Sequence, residues 1–92
     1  MSDIHHKVFS RLATGIGINF KQIGLELGME WHKLKIYDNN TNKVDATIEM
    51  LVDWQASLPE NTLKAKKVEL LCEALTAVKR VDLIKELKSL IR

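Results

Sequence analysis

The residues best suited to chemistry in this sequence are one cysteine and three histidines. Cys72 lies on the apolar side of a predicted helix, whereas a reactive thiol needs exposure and a basic neighbour, so we interpret it as a buried structural residue. His5 and His6 are adjacent and point to different sides of a helix, and His32 is isolated. A metal site needs ligands three or four residues apart and further partners. We therefore expect no metal, no cofactor and no enzymatic activity.

Three carboxylates follow one another along one side of the helix predicted for residues 44–58. Asp45, Glu49 and Asp53 are spaced i, i+4 and i+8, opposite a broad apolar arc that includes Leu51 and Trp54. Carboxylates on a convex helix have no cleft in which to act as acid and base. They form either the solvated face that an amphipathic helix needs or a contact surface for a basic partner.

Basic residues are concentrated in the last third of the chain. Residues 1–60 carry six Lys/Arg and eight Asp/Glu, whereas residues 61–92 carry eight and four, and the formal net charge is +2. A molecule with one acidic and one basic region fits protein–protein contact better than the binding of duplex DNA. The basic cluster at residues 64–67 leaves a helical nucleic-acid-binding domain as an alternative. The basic residues that we expect at a contact surface are Lys79, Arg80, Lys85 and Lys88, with Lys33 and Lys35 as an additional group.

Six amphipathic helices have to position these side chains. Apolar residues at helical spacing predict helices over residues 4–13, 20–27, 29–37, 44–58, 63–78 and 83–91. Asp3, Asn19 and Asp82 are the expected N-caps. No strand pattern is present, and no apolar run approaches about 18 residues. The prediction is an all-α protein in which residues 1–92 form a single antiparallel bundle, expected to be a module of a larger protein.

Two positions carry specific packing expectations. Gly24 lies in a helix interior, where glycine costs about 1 kcal/mol relative to alanine. A helix that crosses closely at this point would explain it. In the third predicted helix, we expect Trp31 and Leu34 to point inward, with Tyr37 or Ile36 beside them.

Three segments together resemble one family. They read FKQIGLELG at Phe20–Gly28, MLVDW at Met50–Trp54 and LLCEALTAVKRVDL at Leu70–Leu83. The Ala74-Leu75 pair, followed by Arg80-Val81-Asp82-Leu83, matches the spacing of the last two helices of a death domain. Phe20 stands where the family usually has tryptophan. The last helices are most similar to those of the death domains of ankyrins and netrin receptors.

The resemblance implies both a fold and a function. Death domains are six-helix bundles that do no chemistry and recruit other death-fold domains, as copies of themselves or as different proteins. It implies a cytoplasmic adaptor that assembles oligomers in apoptotic or innate-immune signalling. Small-molecule substrates, nucleic acid and direct membrane contact are not expected. The alternative is an intramolecular role, in which the domain docks on another part of a larger receptor or scaffold and restrains it.

Overall fold

The structure, a computed structural model, describes residues 3–91 except for the side chain of Ile18. Six α-helices account for most of these residues. The helices are α1 (His6–Ile16), α2 (Phe20–Glu26), α3 (Trp31–Tyr37), α4 (Lys43–Ser57), α5 (Lys64–Ala77) and α6 (Val81–Leu90), with a 3-10 turn at Gly17–Asn19. Residues 3–91 contain no strand. The predicted all-α bundle of six helices is therefore confirmed.

The core lies where α1 packs against α4 and α6, and α2 packs against α3, α4 and α5. Every helix contributes a fully buried side chain to it. Examples, one from each helix in order, are Phe9, Ile23, Leu34, Leu51, Leu71 and Leu87. Each such burial is worth about 1.5–3 kcal/mol relative to exposure. Cys72 packs half-buried at the edge of this core, and burial raises the pKa of its thiol, as expected of a structural cysteine.

Of the three predicted N-caps, Asn19 occupies the predicted position before α2 but makes no capping hydrogen bond, and Asp3 and Asp82 are wrong. The helix α1 begins after His5, whose Nδ1 accepts a backbone N–H from the first turn, whereas Asp3 lies farther upstream and bonds elsewhere. Asn19 belongs to the 3-10 turn that runs directly into α2, so its side chain caps nothing. The helix α6 begins after Arg80, which places Asp82 inside the first turn. The helices themselves formed where the apolar spacing predicted them.

The close approach expected at Gly24 is confirmed. A Cβ atom at this position would lie 2.5 Å from Leu34 Cδ2 of α3 and 2.9 Å from Met50 Sδ of α4. Both distances are shorter than a normal contact between these atoms. The glycine in α2 therefore lets two other helices pack directly against the α2 backbone.

Candidate protein-binding surfaces

The acidic surface consists of Asp45, Glu49 and Asp53 on α4. All three side chains are exposed, while Leu51 and Trp54 on the same helix are buried in the core. Among residues 3–91, Asp45 and Glu49 have no side-chain hydrogen bond or ion pair within the protein. Their carboxylates are therefore available to a partner.

Asp53 differs from its two neighbours because it is held by α3. The hydroxyl of Tyr37 donates a hydrogen bond to Asp53 Oδ2. Burial, together with this carboxylate, raises the pKa of the Tyr37 phenol, which keeps the proton on the tyrosine. Tyr37 was expected only as an inward-pointing residue, and nothing in the local spacing indicated its bond to Asp53. The bond fixes the C-terminal end of the acidic surface against α3.

The basic surface consists of Lys79, Arg80, Lys85 and Lys88, at the turn between α5 and α6 and along α6. Lys79 adopts a left-handed backbone conformation with φ of 62°, which makes the turn. The three lysines are exposed. Val81 lies among them with 54% of its surface exposed, so this surface also offers an apolar contact.

Arg80 is the least available member of the basic surface. One terminal guanidinium nitrogen donates to the backbone oxygen of Gly15 in α1 at 2.9 Å. The guanidinium also pairs with Asp82 at 3.0 and 3.1 Å, and this hydrogen bonding lowers the pKa of the Asp82 carboxyl. Arg80 therefore fastens the start of α6 to α1, and its charge is balanced within the chain.

The additional basic group, Lys33 and Lys35, is exposed on α3 as predicted. Trp31, by contrast, was expected to point inward and is 50% exposed. It occupies the first position of α3, and the ammonium group of Lys21 on α2 lies 5.5 Å from the centre of its ring. A cation over an aromatic face is favourable at such a distance, so the exposed indole has a local partner. Ile36 is also exposed, and the inward residues are Leu34 and Tyr37.

Other kinds of site find less support in residues 3–91. Within them, no three His, Cys, Asp or Glu side chains come together in a way that could hold a metal ion. His32 instead lies 3.2 Å from Glu30, on the exposed side of α3. None of the helices described has both the length and the apolar character needed to cross a bilayer.

A comparison with protein families identifies the class of protein to which these surfaces belong. The model of the Death domain family matches residues 6–91, which is nearly the whole chain. The chain is a death domain. Death domains are interaction modules that bind one another in signalling. The acidic and basic surfaces therefore belong to a class of protein that acts by binding partners at its exposed surface. A search of the curated proteins and a search of the solved structures each gave no significant match. The resemblance carried by FKQIGLELG and LLCEALTAVKRVDL is thus confirmed at the level of the family.

Proposed function

We propose that this death domain binds another death domain by placing its acidic surface against the basic surface of the partner, which is a second copy or a different protein. The observation that carries this proposal is the separation of charge. Among residues 3–91, Asp45 and Glu49 on α4 have no ion-pair partner. Lys79 lies in the turn before α6, whereas Lys85 and Lys88 lie along α6, with Lys88 in its last turn. Opposite charges steer two such surfaces together and set their register.

The two surfaces lie on different helices, so one molecule can use both at once. A contact between unlike surfaces of identical subunits does not close as a simple dimer and propagates into rings or helical arrays. Each exposed ion pair contributes only about 0–1 kcal/mol. A single contact is therefore weak, and assembly becomes stable when several contacts act together.

The type of death domain that we propose is based on the last two helices. The Arg80-Val81-Asp82-Leu83 motif supports a domain of the ankyrin or netrin-receptor type. On that basis we propose a cytoplasmic adaptor role in apoptotic or innate-immune signalling. The proposed contact does not depend on this pathway, because it needs only the two charged surfaces.

Capture between two differently tagged copies of the chain tests the proposal. Asp45→Lys/Glu49→Lys in both copies should abolish capture and leave the circular dichroism spectrum and the melting temperature unchanged, since neither side chain has a partner within the described fold. The matched control is Glu60→Lys/Glu86→Lys, which changes the net charge equally at exposed positions elsewhere. Capture that survives the α4 substitutions would reject the acidic surface. A wild-type protein that sediments as a monomer at every concentration and ionic strength would contradict self-association and leave binding to a different death domain or intramolecular docking in a larger receptor or scaffold.

A further inference from the structure

A groove with an apolar floor crosses the face formed by α2, α4 and α5, apart from both charged surfaces except at Asp53. It consists of two depressions that meet at Leu27 and Trp54. Leu27, Leu58 and Leu70 contribute to its floor and are each only partly buried. These leucines belong to three separate segments, the ends of α2 and α4 and the middle of α5, which together assemble the floor. The fold leaves this apolar surface without a covering element in the part of the chain described.

Carboxylates dominate the walls of the groove. Glu26 and Glu73 flank the depression next to α5, and Glu30 and Asp53 flank the one next to α3. Lys33 supplies the single positive charge among the side chains that line the two depressions. Glu26 and Glu73 make no ion pair within residues 3–91. The groove therefore combines apolar contact with an excess of three negative charges.

We propose that this groove binds a basic amphipathic helix from a partner protein, which need not be a death domain. An apolar stripe at i, i+3, i+4 and i+7 would lie on Leu27, Leu58 and Leu70, while lysines or arginines beside that stripe would reach Glu26 and Glu73. Helices with an apolar stripe commonly dock into grooves of this kind. Charge complementarity selects a basic helix over an acidic one.

A second copy of this chain fits the groove less well. The apolar stripes of its own helices are buried in the core, and the basic surface offers Val81 as its exposed apolar residue. A second copy could supply the positive charge but not a continuous apolar stripe. The proposed helix binding is thus distinct from the contact between the acidic and basic surfaces, and one molecule can support both.

The probe for this site is a synthetic amphipathic peptide of leucine and lysine, about 14 residues or four turns long, with a fluorescent label. Its anisotropy should rise as the death domain is added. Glu26→Lys/Glu73→Lys should weaken binding by about tenfold or more, equivalent to about 1.4 kcal/mol. Both substitutions suit a helix, since residue 26 ends α2 and residue 73 lies four positions after Glu69. Leu70→Gln should weaken binding by removing apolar contact.

The matched control is Glu60→Lys/Glu86→Lys, which alters the net charge by the same amount at exposed positions outside the groove and should leave peptide binding within about twofold of the wild type. A peptide of the same composition with its leucines scattered around the helix should bind more weakly than the amphipathic one. Absence of binding to the wild type, or equal weakening by the two charge-reversal pairs, would overturn the proposal. Self-association that Glu26→Lys/Glu73→Lys abolishes would also overturn it, because a second copy would then occupy the groove. Loss of capture in the α4 variant of the acidic surface with peptide binding retained supports the groove whatever becomes of the proposed contact between death domains.

Discussion

The ammonium group of Lys67 on α5 lies 2.6 Å from a carboxylate oxygen of Asp3, which is 64 positions earlier in the chain. Lys67 is 4% exposed and is the one charged side chain buried among residues 3–91. Next to this ion pair, the backbone N–H of Ile4 donates to Gln55 Oε1 of α4 at 2.6 Å, and the Ile4 carbonyl accepts from Gln55 Nε2 at 3.3 Å. The segment before α1 is therefore fastened to two other helices, and Asp3 supplies the counter-charge for a buried lysine.

Removal of Asp3 should destabilise the domain more than removal of Lys67. Asp3→Asn leaves a buried ammonium group without its charged partner, so the melting temperature should fall by several degrees. Lys67→Met removes the buried charge and keeps a long apolar side chain, so its melting temperature should stay nearer that of the wild type. Thermal unfolding followed by circular dichroism measures both.

The double variant Asp3→Asn/Lys67→Met provides the control. When residue 67 is methionine, no buried ammonium group is left without a partner by the loss of the Asp3 carboxylate. The double variant should therefore melt at nearly the same temperature as Lys67→Met alone. An Asp3→Asn variant that melts with the wild type would show that the pair contributes nothing to the stability of the folded state.

Asp38 should make the stability depend on pH in the acid range. It receives hydrogen bonds from Lys21 at 2.8 Å and from Lys43 at 2.7 Å, which lower the pKa of its carboxyl from 3.8 to about 2. Because the folded pKa lies below the unfolded one, the contribution of Asp38 is complete above about pH 4 and is lost as the pH falls through about 2. Urea unfolding should show Asp38→Asn less stable than the wild type near neutral pH, with the difference disappearing towards pH 2. A difference that stays constant across this range would contradict the assignment.

Gly24 and Gly15 should respond differently to alanine. At Gly24 a new Cβ meets two buried side chains, Leu34 and Met50, so overpacking of about 1–3 kcal/mol outweighs the gain of about 1 kcal/mol in helix propensity. At Gly15 a new Cβ lies 2.6 Å from Leu83 Cδ2 alone, so one side chain has to move and the two effects should nearly cancel. Chemical denaturation should give a loss of about 1 kcal/mol for Gly24→Ala and little change for Gly15→Ala. Equal stability of the two variants would mean that Leu34 and Met50 move at little cost to make room for the new Cβ atom at position 24.

The sequence predicts the helices well because the signal for them is local. Apolar residues at a spacing of three and four are enough to place α1 to α6, and an isolated glycine in α2 indicates the close packing there. The role of Asp3 and the exposure of Trp31 depend on residues outside their own helices. Asp3 bonds to Lys67 instead of capping α1, and Trp31 stacks with Lys21 from the preceding helix.

The groove and the Tyr37–Asp53 hydrogen bond could not be predicted for the same reason. Leu27, Leu58 and Leu70 belong to three separate segments, and only the packing of these segments brings them to one floor. The acidic surface was predictable because all its members belong to one helix. Nothing in that helix indicated that Asp53 alone is held from outside.

Arg80 should matter more for stability than for binding. Lysine cannot donate to the Gly15 carbonyl and to both Asp82 oxygens in the way the guanidinium does, so Arg80→Lys should lower the free energy of unfolding by about 1 kcal/mol. Lys85→Ala, at an exposed position of the same basic surface, should change stability by less than about 0.5 kcal/mol and weaken capture of a second copy. If Arg80→Lys lost capture while keeping full stability, Arg80 would be a contact residue and its bonds within the chain would be incidental.

Reversal of charge on both sides of the proposed contact should restore what reversal on one side removes. Lys79→Glu/Lys85→Glu should abolish capture between two copies that both carry it, as Asp45→Lys/Glu49→Lys should when both copies carry that pair. A chain that carries all four substitutions places lysines on α4 opposite glutamates at α6 of a second such chain, so the ion pairs reform with the signs exchanged.

A mixture of the two double variants still contains one unaltered acidic surface and one unaltered basic surface, so the test compares self-capture of each double variant with self-capture of the chain that carries all four substitutions. Self-capture should be weak for either double variant and strong for the fourfold variant, which should fail to capture the wild type. Self-capture should also decline as salt is raised from low to physiological concentration, because exposed pairs are screened over about 8–10 Å. Self-capture of the fourfold variant no stronger than that of either double variant would mean that these two surfaces do not face each other in the complex.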